Sequence, residues 1–245
     1  PANEYGAAYS SFTFQVRDTG GTANGGVNLD ASPNTITFNV DPINSAPDGA
    51  DITLSTNEDT ALSFTVANFG FSDAADTPPN ALAAVRITTL PATGTLTLIA
   101  GASAPGPVSA GQEISVADIP FLRYNPPVNA NGVGLATFTF QARDDGGTAN
   151  GGIDLDPVAN TVTIDVVSVN DAPAGTDNTR TTLEDTPFTF VAADFGFSDA
   201  SDAPANLLSG VRITTLPAAG TLTLMAGSSA PGPVAAGQIV SAADI

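Results

Sequence analysis

Asp59 returns as Asp185, 126 positions later, and long stretches of sequence return with it at the same offset. NEDTALSFTVANFGFSDAAD at 57–76 reappears as LEDTPFTFVAADFGFSDASD at 183–202, SFTFQVRDTGGTANGG at 11–26 as TFTFQARDDGGTANGG at 137–152, and VRITTLPATGTLTL at 85–98 as VRITTLPAAGTLTL at 211–224. Roughly two thirds of aligned positions match, without slippage. Solenoid repeats run about 20 to 50 residues, so a period of this length is a whole domain. Ile245 aligns with Ile119 and Pro1 with Pro127, which leaves only the counterparts of Pro120–Pro126 between the two ends. This predicts a window on a longer array, with 1–44 as the C-terminal part of one β-sandwich repeat, 45–170 as a complete repeat and 171–245 as the N-terminal part of the next. The alternative is a neighbouring chain that supplies the missing strands, because half a domain leaves strand edges unpaired.

Within one period the pattern is that of strands. Val, Ile, Phe and Thr alternate between clusters of Gly, Pro, Asn and Asp. Strands are predicted at 52–54, 61–66, 85–90, 95–99, 113–116, 121–124, 136–143 and 161–169. Alternation is clearest at Phe138, Phe140 and Ala142, and at Val162, Ile164 and Val166, which places these side chains on one face. Eight short strands with frequent turns argue for an all-β chain built as a two-sheet sandwich. Phe69 and Phe71 in the FGF segment read as core anchors. The GTANGG segment reads as a tight turn, since no helix follows it to make a phosphate cradle. The Gly- and Pro-rich stretch 100–111 reads as a loop, with a sugar-binding tip as its functional alternative. Arg86 and Arg143 read as surface ion-pair partners.

Composition removes most chemistry. The chain has no Cys, His or Trp, and its six basic residues are all Arg against 25 carboxylates, for a net charge of −19. An ordinary zinc, haem or iron–sulfur site, a Cys nucleophile and a His general base are all excluded, and the absence of Lys excludes Schiff bases and Lys–Asn crosslinks. So acidic a chain is a poor partner for nucleic acid and for anionic membranes. With 42% hydrophobic and 13% charged residues it has the composition of a globular chain. No apolar run approaches the roughly 18 residues of a membrane span.

The segments VNDAP (Val169–Pro173), EDT (Glu184–Thr186), GFSD (Gly196–Asp199), LPAAGTL (Leu216–Leu222) and FTFQARDDGG (Phe138–Gly147) together resemble the cadherin-like tandem repeats of large bacterial surface adhesins. The resemblance covers the whole period. It implies tandem Ig-like/cadherin-like β-sandwich domains in a secreted protein, commonly exported by a type I route, with calcium at the domain junctions. The residue types suit the ion, because calcium takes six to eight oxygen ligands from Asp, Glu, Asn and backbone carbonyls. Asn170, Asp171, Glu184 and Asp185 are expected to converge at the junction after the complete repeat. Asp144 and Asp145 are expected to belong to the same site or a separate one, and Asp199 with Asp202 and Asp154 with Asp156 are further acidic pairs. Solvation and capping of turns is the bland reading of all of them. At the first junction, DPINSAP (Asp41–Pro47), Ser45 stands where the second has Asp171. Asn44, Glu58 and Asp59 remain, so calcium is expected to bind there more weakly.

The function expected on this basis is structural: a repeat of an extracellular stalk, adhesin or filament that extends and stiffens a bacterial cell-surface fibre, and not an enzyme. Its partners are neighbouring repeats, copies of itself in a fibre, or an unidentified surface ligand. Two alternatives stand beside it: a carbohydrate- or protein-binding module, which the absence of Trp and the presence of only three Tyr disfavour, and a fibre subunit completed by strand exchange between chains.

Overall fold

A computed structural model describes residues 4–245. Among the described residues the chain is all-β, with short 3-10 turns and no α-helix. The strands are β1 (Gly6–Phe14), β2 (Asn34–Val40), β3 (Ile52–Asn57), β4 (Leu62–Ser63), β5 (Leu82–Thr89), β6 (Thr95–Leu98), β7 (Gly106–Pro107), β8 (Glu113–Ser115), β9 (Leu122–Asn125), β10 (Gly132–Asp144), β11 (Asn160–Val167), β12 (Gly210–Arg212), β13 (Thr223–Leu224), β14 (Gly232–Pro233) and β15 (Ile239–Ser241). They form a five-stranded sheet in the order β3-β11-β10-β5-β8, a four-stranded sheet in the order β4-β9-β6-β7, and three two-stranded pairs, β1-β2, β12-β15 and β13-β14. No described helix is long and apolar enough to cross a membrane.

The chain divides into two compact units. One holds the chain up to Leu54 with Leu62–Asn125 and Ala136–Ile164, and the other holds Ser55–Ala61, Pro126–Leu135 and Asp165–Ile245.

The first unit contains the main core. Period-2 alternation buries Val85 and Ile87 of β5, Phe138 and Phe140 of β10, and Val162 and Ile164 of β11, while Leu96 and Leu98 of β6 and Leu122 and Tyr124 of β9 are buried from the four-stranded sheet. Aromatic edges tie the two sets together: the Phe64 ring meets Phe138 at 5.7 Å and the Phe69 ring meets Phe140 at 4.9 Å, both T-shaped. The Tyr124 hydroxyl donates to the Thr93 carbonyl at 3.2 Å, so the buried phenol keeps a partner. Arg143 donates to Glu113 at 2.8 Å and to Asp154 at 2.9 Å, the surface ion pairing its sequence suggests.

Two segments differ from the strand expectations. The 61–66 stretch pairs only at β4, because Val66–Phe69 winds into a 3-10 turn closed by Gly70 in the left-handed region, and that turn seats Phe69 in the core. Gly106–Pro107 forms a short edge strand on β6, where a Pro without an N–H is tolerated. Its sequence reads as loop.

The second unit repeats local geometries of the first at the 126-residue spacing. The Ala174–Ser198 bridge matches Asp48–Ser72, and within the second unit itself Asp185 takes a positive φ like Asp59. Its apolar residues are less covered: Phe190, counterpart of buried Phe64, is 40% exposed.

Candidate functional site

Acidic and amide side chains gather in each unit, placed by the same turns. In the first unit, the backbone N–H of Ser45 donates to Asp76 Oδ2 at 2.9 Å, and the N–H of Asn80 donates to Asp73 Oδ2. Asn80 Nδ2 donates to Asn44 Oδ1, while Asn44 Nδ2 donates to Asp144 Oδ1 at 3.0 Å and to the Ile153 carbonyl at 2.7 Å. Gly146 closes this arrangement. Its N–H donates to Asp144 Oδ1 at 2.9 Å, and a Cβ there would collide with Asn44 Oδ1 and Asn80 Nδ2. Asp145, exposed beside it, accepts from the Ala81 N–H at 2.8 Å. Asp144 is only 2% exposed. Burial pushes its carboxyl above the usual range, the Gly146 and Asn44 hydrogen bonds pull it back, and the charges of Asp73 and Asp154 raise it further.

In the second unit the same network recurs. The Asp171 N–H donates to Asp202 Oδ1 at 3.0 Å, the Asn206 N–H to Asp199 Oδ2 at 2.6 Å, and Asn206 Nδ2 to both Asn170 Oδ1 at 2.9 Å and Asp202 Oδ2 at 2.8 Å. Glu58 and Asp59 join it. The buried Glu58 carboxylate accepts from the Val169 N–H and from Asn131 Nδ2 at 3.3 Å, and Asp59 accepts from the Asn129 N–H at 3.0 Å. Partial burial, then the charges of Asp202, Asp59, Glu58 and Asp199 in that order, push the Asp171 carboxyl above its usual range.

The charges of Glu58 and Asp59 thus reach Asp171, and Glu58 accepts from the N–H of Val169, two residues before it. Glu184 and Asp185 lie in an exposed turn, where the Glu184 carbonyl accepts from Thr186 Oγ1 at 3.3 Å, and they are not among the charges acting on Asp171. Asn44 goes with Asp144 and Asp145 in the first unit. The sequence offers Asp199 and Asp202 as a pair without joining them to Asp171. Asn80 and Asn206 escape sequence reasoning altogether, although their return at one offset is a signal that could have found them.

One oxygen in each network stands out. Asp73 Oδ1 and Asp199 Oδ1 are buried without a hydrogen-bond partner, in residues 5% and 7% exposed. Buried charge of this kind is normally paired or metal-bound. The donor set around each, carboxylates and amide carbonyls with no nitrogen or sulfur ligand, fits calcium. In the second unit Asp199, Asp202, Asp171, Glu58 and Asn170 would hold the ion, and in the first Asp73, Asp76, Asp144 and Asn44. Among the described residues no three acidic side chains stand at metal-ligand spacing. Comparison with protein-family models, with curated proteins and with solved structures gives no match.

Proposed function

We propose that this chain is a structural repeat of an extracellular stalk, adhesin or filament at a bacterial cell surface, built of tandem Ig-like/cadherin-like β-sandwiches and held by calcium at its acidic clusters. The observation that carries this reading is the pair of buried, unpartnered oxygens, Asp73 Oδ1 and Asp199 Oδ1, at equivalent positions of two matching networks. A divalent cation there would offset the burial and, after it, the neighbouring charges that raise the Asp171 and Asp144 carboxyls. It would also tie the Glu58–Asp59 turn, the Asn170–Asp171 segment and the Asp199–Asp202 turn to one centre, so ion binding and local order become one event. The β-sheet scaffold, the period and the absence of His, Cys and Lys suit a spacer better than an enzyme.

Thermal unfolding of the full chain in calcium and in chelator tests this. Calcium at a hundredfold excess over its Kd adds about 2.7 kcal/mol by mass action, so a rise in Tm of several degrees is expected. Identical melting curves in the two buffers contradict the reading.

A further inference from the structure

The chain holds two Asp–Pro bonds, Asp41–Pro42 and Asp156–Pro157, and the fold sets them in opposite surroundings. Asp156 is 2% exposed, and both oxygens of its carboxylate are engaged. Oδ1 accepts from the Val158 N–H at 2.8 Å, and Oδ2 accepts from the Gly49 N–H at 2.9 Å and from Asn160 Nδ2 at 2.7 Å. Its backbone is held as well: the Asp156 N–H donates to the Ala142 carbonyl at 2.9 Å, and the Asp156 carbonyl accepts from Gln141 Nε2 at 2.9 Å. Asp41 and Pro42, by contrast, follow β2 in an exposed connection without regular structure, and no described residue donates to the Asp41 carboxylate. The same positions one period later, Val167 and Ser168 at the end of β11, are exposed too.

We infer that Asp41–Pro42 is a self-cleavage site, at which the chain divides by hydrolysis while Asp156–Pro157 stays intact. Nucleophile and carbonyl belong to one residue, which gives the attack the advantage of an intramolecular reaction. A carboxylate oxygen of Asp41 bonds to the residue's own backbone carbonyl carbon and closes a five-membered cyclic anhydride. The C–N bond to Pro42 breaks, and its electron pair stays on the Pro42 nitrogen, which takes a proton from the solvent. Water then opens the anhydride, leaving Asp41 as a free C-terminus and Pro42 as a free secondary amine. Proline suits the step because its nitrogen has no N–H, so the competing attack of that nitrogen on the side chain is closed. At Asp156 the same attack would first have to release the three hydrogen bonds that hold the carboxylate, and bonds to a charged group are the strong ones. The second junction reads Val167–Ser168 where the first has Asp41–Pro42, so the site belongs to the first junction alone. The inference rests on this contrast and not on calcium.

The test is intact-mass spectrometry of the full chain over time, in chelator and in the most acidic buffer that leaves its far-UV dichroism unchanged from neutral pH, since acid supplies the proton for the leaving nitrogen. Fragments 1–41 and 42–245 are expected to form about tenfold or more faster than 1–156 and 157–245. In urea at the same pH the two bonds are expected to break at similar rates, because the hydrogen bonds to Asp156 are gone. Asp41→Val and Pro42→Ser, which each install the residue of the second junction, are expected to stop the first cut. Absence of the 1–41 fragment overturns the proposal, as does equal cleavage of both bonds in the folded chain. An excess that persists in urea, or a cut that survives Asp41→Val, overturns it as well.

Discussion

Phe138→Ala is expected to lower the unfolding free energy by about 3–5 kcal/mol, the range for emptying a buried aromatic site. Phe12→Ala, the same substitution one period earlier, is expected to stay within about 0.5 kcal/mol, as exposed substitutions usually do. The two residues share their sequence context, FTFQ, and differ in surroundings: Phe138 is fully buried against Phe64, whereas Phe12 is half-exposed, with the Phe14 and Phe38 rings at about 6 Å. Urea melts of the two variants check this difference directly. Equal losses would mean that the first strand pair is as well covered as β10 and β11.

Asp171→Asn is expected to change sign with calcium. In chelator near neutral pH the variant melts higher than wild type, because the native state holds the Asp171 carboxyl above its ordinary range through partial burial and the charges of Asp202, Asp59, Glu58 and Asp199. A carboxyl whose folded pKa is raised binds its proton more tightly in the native state than in the unfolded one. Its ionisation therefore penalises the fold: the penalty is absent below the unfolded pKa of about 3.9, grows as pH rises through the raised value, and is complete above it. The advantage of the variant should thus vanish on acidification towards pH 3. In calcium the order reverses, since the removed carboxylate is a ligand, and affinity falls by about tenfold or more, the scale on which ligand charge count tunes calcium sites. Melting curves at pH 7 and pH 3, each with calcium and with chelator, read all four values. A variant less stable than wild type in chelator at pH 7 would show that the Asp171 charge is compensated by the protein itself.

The strands were legible from sequence where side chains alternate strictly. β10 and β11 announce themselves by Phe138, Phe140 and Ala142 and by Val162, Ile164 and Val166, since one period-2 face is enough to define a half-buried strand. β7 was hidden because two residues, one of them Pro, carry no period. The 3-10 turn at Val66–Phe69 was hidden because its Val and Phe look like strand residues until Gly70 ends the run. The acidic residues were legible as types but not as groups. Motif spacing groups Asp171 with Glu184, and it gives no sign that the turn at Glu58, more than a hundred residues away, is hydrogen-bonded to Val167 and Val169 beside Asp171. Long-range strand pairing decides such encounters, and a single sequence records it only in the register of its sheets. The offset between copies was the more reliable guide, since it carries Asp73 onto Asp199, Asp76 onto Asp202 and Asn80 onto Asn206.

Calorimetric titration of the full chain with calcium tests the central claim most directly. The account predicts saturable binding in two unequal classes, the tighter at the cluster of Asp171, Asp199, Asp202 and Glu58, the weaker where Ser45 replaces the carboxylate beside Asp73 and Asp76, with Asp171→Asn weakening the tighter class alone by about tenfold or more. No saturable heat, or two classes of equal affinity that Asp171→Asn leaves unchanged, would contradict it.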